Sequence, residues 1–325
     1  MFLKGTMVNL IFFIIGLCLL VKGADFLITG AQSFARNFRI SDIIISLTLV
    51  AFGTSLAELF VNVFASLAGD SDIVLGNILG SNIVNVLLIL GLSAVIYPLK
   101  VTDNTILKEI PLSLLASILV FGLLFDSSNV QINLREMSRL DGVVLLGFFV
   151  LFLYYIYSIS VQSLSPEVAT QPASLSVKKS IIFALFGLVG LAFGARLVVK
   201  SAVELAFHFG VSEALVSLTI VSIGTSLPEM ATSLRAAFRK NSDIAVGNIV
   251  GSNIFNIFFI LGVSAVIRPV NYNVAFDKDV YMGIIINILM FVFMFTGTKK
   301  VFDRFEGIAF VFIYILYIIV VIRMG

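Results

Sequence analysis

Charged residues make up only 12% of this chain of 325 residues, which has one cysteine and one histidine. Soluble domains carry about a quarter charged residues, so an ordinary soluble domain is excluded. Cys18 has no partner for an internal disulfide, and no cluster of cysteine and histidine predicts zinc or haem. No lysine- and arginine-rich run predicts a nucleic-acid partner, and no feature predicts an obligate protein partner. Hydrophobic residues make up 59% of the chain, which predicts an integral membrane protein in a lipid bilayer.

Ten apolar runs are long enough to cross a membrane as helices, which takes about 20 residues. Uninterrupted apolar stretches such as Val86 to Leu92 argue against a membrane β-barrel, whose strands alternate apolar and polar residues. The first run is longer than a typical signal-peptide core, so we interpret it as a membrane helix. The predicted spans are 7–33, 43–68, 73–97, 105–125, 141–161, 178–206, 214–238, 243–267, 279–296 and 305–323.

The chain contains an internal repeat. Residues 53–98 align without gaps on residues 224–269, with 25 identities in 46 positions. Many identities are Gly, Ser, Asn, Thr, Pro and Glu, which hydrophobicity does not dictate. The polar segment 162–177 separates residues 1–161 from residues 178–325, with five predicted spans on each side. The sequence therefore predicts an all-α membrane protein of ten helices. Because five is odd, the second repeat is inverted, an architecture of transporters.

Basic residues set the predicted orientation. Loops on the side opposite the N-terminus hold about twice as many lysines and arginines as loops on the N-terminal side, and the positive side of such a protein faces the cytoplasm. Both termini are therefore predicted to be extracytoplasmic.

Each repeat places a carboxylate inside an apolar span. Charged groups within a membrane are costly, rare and usually functional. Gly53, which lacks a Cβ, permits a local break in the helix, and Pro228 leaves a backbone carbonyl unpaired one turn earlier. The two segments are Gly53-Thr54-Ser55-Leu56-Ala57-Glu58 and Gly224-Thr225-Ser226-Leu227-Pro228-Glu229.

The following helix of each repeat adds polar residues four apart, which lie on one helix face. They are Asn77, Ser81 and Asn85 in the first repeat and Asn248, Ser252 and Asn256 in the second. Together the motifs form an oxygen-rich set without thiolate or imidazole, which suits hard cations such as Na⁺ and Ca²⁺. Two carboxylates match one Ca²⁺ or two Na⁺ in charge. No cofactor is predicted. The predicted cation ligands are Glu58, Glu229, Thr54, Ser55, Thr225, Ser226, Ser81, Ser252, Asn85 and Asn256.

Asp25 is a further charged residue within a predicted span. With Lys22 it predicts a local ion pair within the first helix, and the matching position of the second repeat is Arg196. We do not predict Asp25 as a ligand.

The G-T-S-x-x-E and G-N-x-x-G-S-N-I-x-N pairs resemble the two α-repeats of the sodium/calcium exchanger family, within the calcium:cation antiporter superfamily. The resemblance covers nearly the whole chain and is closest to compact prokaryotic members, which implies a prokaryotic inner membrane. It implies exchange of Na⁺ for Ca²⁺ by alternating access. It also implies that the two α-repeat glutamates bind the ions, helped by the adjacent hydroxyls and backbone carbonyls. Finally, it implies that the first and sixth helices slide to switch access.

This chain departs from the family pattern at two positions. Ala57 stands where the family usually has Pro, so we expect a weaker helix distortion there. Asn256 is Asp in some relatives, so this chain has one candidate carboxylate fewer, which argues against dependence on K⁺.

Other functions stay open from the sequence. H⁺/Ca²⁺ exchange uses the same site, because a carboxylate taken out of water can titrate near neutral pH. A cation channel is disfavoured by the inverted repeat and by the absence of a pore-loop signature. An intramembrane enzyme is disfavoured because His208 is the single histidine available as a base for a serine nucleophile.

Overall fold

The computed structural model describes residues 2–125, 135–162, 174–208 and 222–324, which are mostly helical. A helix pairs its own backbone groups within lipid, so each long apolar run takes this form. The first part of the chain contains helices α1 (Phe2–Asn37), α2 (Asp42–Thr54), α3 (Leu56–Ala68), α4 (Ser71–Ile96), α5 (Thr105–Phe125) and α6 (Arg139–Gln162), with strands β1 (Leu99–Lys100) and β2 (Glu136–Met137). The second part contains helices α7 (Val177–His208), α8 (Ser222–Gly224), α9 (Leu227–Phe238), α10 (Ser242–Ile267), α11 (Asp277–Phe293) and α12 (Arg304–Met324), with strands β3 (Val270–Asn271) and β4 (Val301–Phe302).

Seven helices of the described residues are long and apolar enough to cross a membrane: α1, α4, α5, α6, α7, α10 and α12. Helices α2 and α3 meet at a bend of 48° and together form an eighth, broken span. Two predicted spans fall outside this set. The run 214–238 begins outside the described residues, and the run 279–296 corresponds to α11, which has 17 residues. Most of the predicted linker 162–177 also lies outside the described residues.

Two short strand pairs depart from the all-α prediction. Strand β1 pairs antiparallel with β4, with Leu99 opposite Phe302, and β2 pairs antiparallel with β3, with Glu136 opposite Asn271. Strands of two residues carry no detectable period, so the sequence pattern could not reveal them. Each pair joins a loop of the first repeat to a loop of the second.

Helices α4 and α10 form the centre of the protein. In their most apolar windows 72% and 83% of residues are buried, against 22–39% in the other five spanning helices. These two helices carry the second polar motif of each repeat. The motif residues are therefore inside the protein and away from lipid.

Helices α1 and α7 pack closely against each other along glycines. A Cβ built on Gly23 would lie 2.8 Å from the amide nitrogen of Leu191, and one built on Gly194 would lie 2.8 Å from that of Leu20. Small residues let helices approach closely in lipid. About a third of the apolar window of each helix is buried, so this pair lies at the outside of the core.

The expected local pair of Asp25 with Lys22 is wrong. Asp25 forms ion pairs with Arg235 and Arg239, the former in α9 and the latter directly after it, and Arg239 also donates to Thr29 Oγ1 at 3.1 Å. The physical reason is that α1 packs against α9, which brings two arginines to the carboxylate of Asp25. This ion pair attaches the outer helix α1 to the second repeat.

Candidate cation site

The break between α2 and α3 positions the first motif. Ser55 lies between the two helices, at φ −78° and ψ 7°, and Glu58 is in the first turn of α3. Glu229 likewise lies in the first turn of α9, next to Pro228. The unpaired N–H groups of a first turn carry partial positive charge, which stabilises a carboxylate. Both glutamate side chains are completely buried. The break is present although the first repeat has alanine where the second has proline.

Each glutamate accepts a hydrogen bond from a serine of the other repeat. Ser55 Oγ donates to Glu229 Oε1 at 2.8 Å, and Ser226 Oγ donates to Glu58 Oε1 at 3.4 Å. The second carboxylate oxygen of each glutamate, Oε2, is buried without a hydrogen-bond partner among the described residues. Across the described residues neither glutamate takes part in a salt bridge, so two carboxylates share a site that supplies no cation.

The threonines of the first motif contact asparagines of the second motif, again across the repeats. Thr54 Oγ1 donates to Asn248 Oδ1 at 3.2 Å, and Thr225 Oγ1 donates to Asn77 Oδ1 at 3.4 Å. Thr54 and Asn248 are 194 positions apart in the chain, and Thr225 and Asn77 are 148 positions apart. These bonds connect the helix break of one repeat to the central helix of the other.

The serines of α4 and α10 complete two matched clusters, one around each glutamate. Ser252 Oγ donates to Glu229 Oε1 at 3.5 Å. Ser81 Oγ donates to Asn77 Oδ1 at 3.1 Å and lies 3.5 Å from Thr225 Oγ1. The structure thus brings together eight of the ten predicted ligands within two clusters: Thr54, Ser55, Glu58, Ser81, Thr225, Ser226, Glu229 and Ser252.

The other two predicted ligands, Asn85 and Asn256, are held by a pair of asparagines that the sequence pattern did not single out. Asn85 Nδ2 donates to Asn253 Oδ1 at 3.0 Å, and Asn256 Nδ2 donates to Asn82 Oδ1 at 3.0 Å. Asn85 and Asn256 lie in π-helical turns of α4 and α10, where side chains depart from the spacing of an α-helix. The available signal was that Asn82 and Asn253 occupy matching positions of the repeat.

Four of the predicted ligands each have a buried oxygen without a hydrogen-bond partner, and these four oxygens form two matched pairs. They are Oε2 of Glu58 and of Glu229, and Oδ1 of Asn85 and of Asn256. A buried polar atom without a partner costs free energy, and a charged one costs more. Oxygen ligands of this kind suit Na⁺ and Ca²⁺. The part of the chain that the structure describes has no group of three or more His, Cys, Asp or Glu, so carboxylates alone do not complete a metal site.

Comparison with protein families supports a relation to transporters. The family model for the sodium/calcium exchanger protein matches residues 8–158 and 179–323. The putative antiporter CaxA of Alkalimonas amylolytica is 38% identical over 309 residues, which cover 93% of this chain and 94% of that protein. The sodium/calcium exchanger MaX1 of Methanosarcina acetivorans is 28% identical, over 96% of this chain and 98% of that protein.

A solved structure of the sodium-calcium exchanger NCX_Mj is similar over almost its whole length. The TM-score is 0.80 at 32% sequence identity, and the match covers 96% of this chain and 98% of the other. That structure was soaked with zero Na⁺ and Ca²⁺. At this coverage the similarity extends over both repeats.

Proposed function

The chain belongs to the sodium/calcium exchanger family, and on that premise we propose that it exchanges Na⁺ for Ca²⁺ across the membrane by alternating access. It is a membrane transporter and not an enzyme. The transported ions are substrates, and no cofactor takes part in the proposal. The proposed ligands are Glu58 and Glu229, assisted by the hydroxyl and amide oxygens around them.

The unpartnered oxygens of the two glutamates carry this proposal. In each glutamate a serine of the other repeat occupies Oε1, which fixes the carboxylate and leaves Oε2 for another group. The side-chain nitrogens of Asn85 and Asn256 are also occupied, which leaves their oxygens for the same purpose. A cation among these oxygens would compensate two buried charges. Because two Na⁺ and one Ca²⁺ carry the same charge, the two ions compete for the site.

The reciprocal contacts support an inverted repeat of ten helices, with residues 1–161 and residues 178–325 as the two halves and residues 162–177 as the linker. Each hydrogen bond from Ser55 or Thr54 to the second half has a counterpart from Ser226 or Thr225 to the first. In such an arrangement the halves can exchange shapes, which moves access to a central site from one face to the other.

The glycine contacts between α1 and α7 suit a movement of this pair against the core. Close packing along these glycines lets α1 and α7 move as one unit. The ion pairs of Asp25 with Arg235 and Arg239 are contacts between this unit and the core that such a movement would have to break or carry with it. We further propose a prokaryotic inner membrane as the location, with both termini outside the cytoplasm, on the charge difference between the loops.

Flux measurements on matched variants test the site. In vesicles loaded with Na⁺, Glu58→Gln and Glu229→Gln are expected to abolish ⁴⁵Ca²⁺ uptake. Glu109→Gln is the control, because Glu109 is another buried glutamate with an unpartnered Oε2 but lies in α5, outside the site. Uptake at the wild-type rate by either site variant would contradict the ligand assignment.

The same vesicles distinguish Na⁺ from H⁺ as the driving ion. With the Na⁺ gradient collapsed, Ca²⁺ uptake is expected to stop even when a pH gradient is imposed. Uptake that persists and follows the pH gradient would instead make the protein an H⁺/Ca²⁺ antiporter with the same glutamates.

A further inference from the structure

A cavity of about 610 Å³ lies between α7 and the helix breaks of both repeats. One wall is formed by α7, and the opposite wall contains the first turns of α3 together with residues of α8 and α9. The cavity adjoins the candidate site, because Thr54 and Thr225 of that site line it. The lining residues include Thr54, Leu188, Ala192, Arg196, Lys200 and Thr225.

The walls of this cavity suit a hydrocarbon chain better than a hydrated ion. Among the described residues that line it, four have polar side chains: Thr54, Thr225, Arg196 and Lys200. A hydrated cation would exchange water for hydrocarbon in most of this space, and the two charged residues would repel it. An acyl chain would instead bury apolar surface on both sides, which is favourable.

Arg196 is a charged residue within the spanning helix α7. Its side chain is exposed at the cavity, and among the described residues it takes part in no salt bridge. Lys200 follows one turn later, with 72% of its side chain exposed and a 4.0 Å contact to Glu204. Charges within a membrane span are costly unless they meet a partner of opposite sign. The two cations therefore form a basic end on an otherwise apolar cavity.

The repeat explains why Arg196 has no partner on the described part of the core. Its counterpart in the first half is Asp25, which pairs with Arg235 and Arg239. The positions that match these two arginines in the first repeat are Phe64 and Ala68, whose side chains cannot compensate a charge. On the α1 side an ion pair attaches the outer helix to the core. On the α7 side the equivalent ion pair is missing among the described residues, and the cavity lies between outer helix and core.

We propose that this cavity binds one anionic phospholipid. The phosphate group pairs with Arg196 and Lys200, and one acyl chain enters the cavity between Leu188, Ala192 and the first turn of α3. The headgroup comes from the leaflet nearest the C-terminal end of α7. The lipid supplies the negative charge that the first repeat lacks at Phe64. Thr54 and Thr225, which are proposed cation ligands, also line the cavity, but the contacts proposed for the lipid are with Arg196, Lys200, Leu188 and Ala192. The proposal is independent of which cation the protein exchanges.

Native mass spectrometry of the full chain in detergent tests lipid binding. Phosphatidylglycerol is expected to be retained and phosphatidylcholine to be lost. Arg196→Gln with Lys200→Gln is expected to weaken retention of phosphatidylglycerol about tenfold to thirtyfold, from two basic contacts. Lys178→Gln with Lys179→Gln removes the same charge from the other end of α7, where both residues are exposed, and is expected to retain the lipid as the wild type does.

A second variant and a second readout locate the acyl chain. Ala192→Trp fills the cavity without changing its charge and is expected to reduce retention of phosphatidylglycerol as well. Phosphatidylglycerol with a diazirine in its acyl chain is expected to crosslink to α7 between residues 185 and 199. Glycerol phosphate, a soluble anion with the same charged group, is not expected to displace the lipid.

Three results would overturn the proposal. Equal retention by the Arg196/Lys200 and Lys178/Lys179 variants would show that the basic end is not used. Crosslinks confined to other helices would show that the chain does not enter the cavity. Displacement by glycerol phosphate would make the site a general anion site, in which the apolar walls have no role.

Discussion

The two serines that bind the glutamates are expected to contribute unequally to Ca²⁺ affinity. They occupy matching positions of the repeat, so Ser55→Ala and Ser226→Ala are the same chemical change made twice. Their geometry differs, because Ser55 Oγ lies 2.8 Å from Glu229 Oε1 whereas Ser226 Oγ lies 3.4 Å from Glu58 Oε1. The first distance is typical of a strong hydrogen bond and the second is near the limit.

These distances set the expected magnitudes. A hydrogen bond to a charged group is worth about 1.5–3 kcal/mol, which corresponds to about a 10- to 150-fold change in affinity. We assign this range to Ser55→Ala. The longer bond of Ser226 is worth less than about 1 kcal/mol, so its removal is expected to weaken Ca²⁺ binding less than about fivefold. The loss arises because Glu229 is no longer held with Oε2 free for the ion.

The assay is the Ca²⁺ concentration for half-maximal ⁴⁵Ca²⁺ uptake by Na⁺-loaded vesicles. Both variants keep the glutamates, so both are expected to reach measurable uptake at saturating Ca²⁺. Equal shifts in the two variants, or a larger shift for Ser226→Ala, would refute the assignment of affinity to the cross-repeat bond.

Three further substitutions test the fold around the site. Gly23→Ala is expected to destabilise the fold by about 1–3 kcal/mol and to lower the melting temperature in detergent, because the added Cβ would meet the backbone of α7. Gly147→Ala is the control, since its Cβ would enter open space, and it is expected to leave the melting temperature unchanged. Equal melting temperatures of the two variants would contradict the close contact. Asp25→Asn is expected to destabilise the fold by about 1 kcal/mol in the same melting assay, because Arg235 loses its carboxylate partner at a partly exposed position. An unchanged melting temperature would contradict a stabilising role of this ion pair. Ala57→Pro is expected to preserve both the melting temperature and Ca²⁺ uptake, because proline is tolerated in the first turn of a helix. A lower melting temperature or a loss of uptake would show that α3 needs the backbone amide of residue 57.

The spans and the ligand types could be predicted from the sequence because they depend on local composition. Apolar runs predict helices, and the G-T-S-x-x-E segments predict where carboxylates enter the membrane. The bend between α2 and α3 agrees with the freedom expected of Gly53. These features need no knowledge of which helices are neighbours.

The pairings could not be predicted, because they depend on contacts between distant parts of the chain. Ser55 and Glu229 are 174 residues apart, and no periodicity relates them. The expected partner of Asp25 was Lys22, because a sequence shows which charged residues are neighbours within one helix. In the structure the packing of α1 on α9 places Arg235 beside Asp25 instead. Asn82 was missed because it directly follows Ser81 and so lies off the row of polar residues four apart.

The ion pair at Asp25 has a consequence for the energy balance of transport. Two identical inverted halves would give the inward-facing and outward-facing forms equal free energy, and an ion-free protein would divide its time evenly between them. The carboxylate pairs with two arginines on one side of the molecule, while the matching position on the other side is itself an arginine. Any conformation that separates α1 from α9 loses this contact and gains no equivalent one. A difference of about 1.4 kcal/mol shifts such a balance tenfold, so under the proposed alternating access the ion-free protein would favour the conformation that keeps α1 against α9.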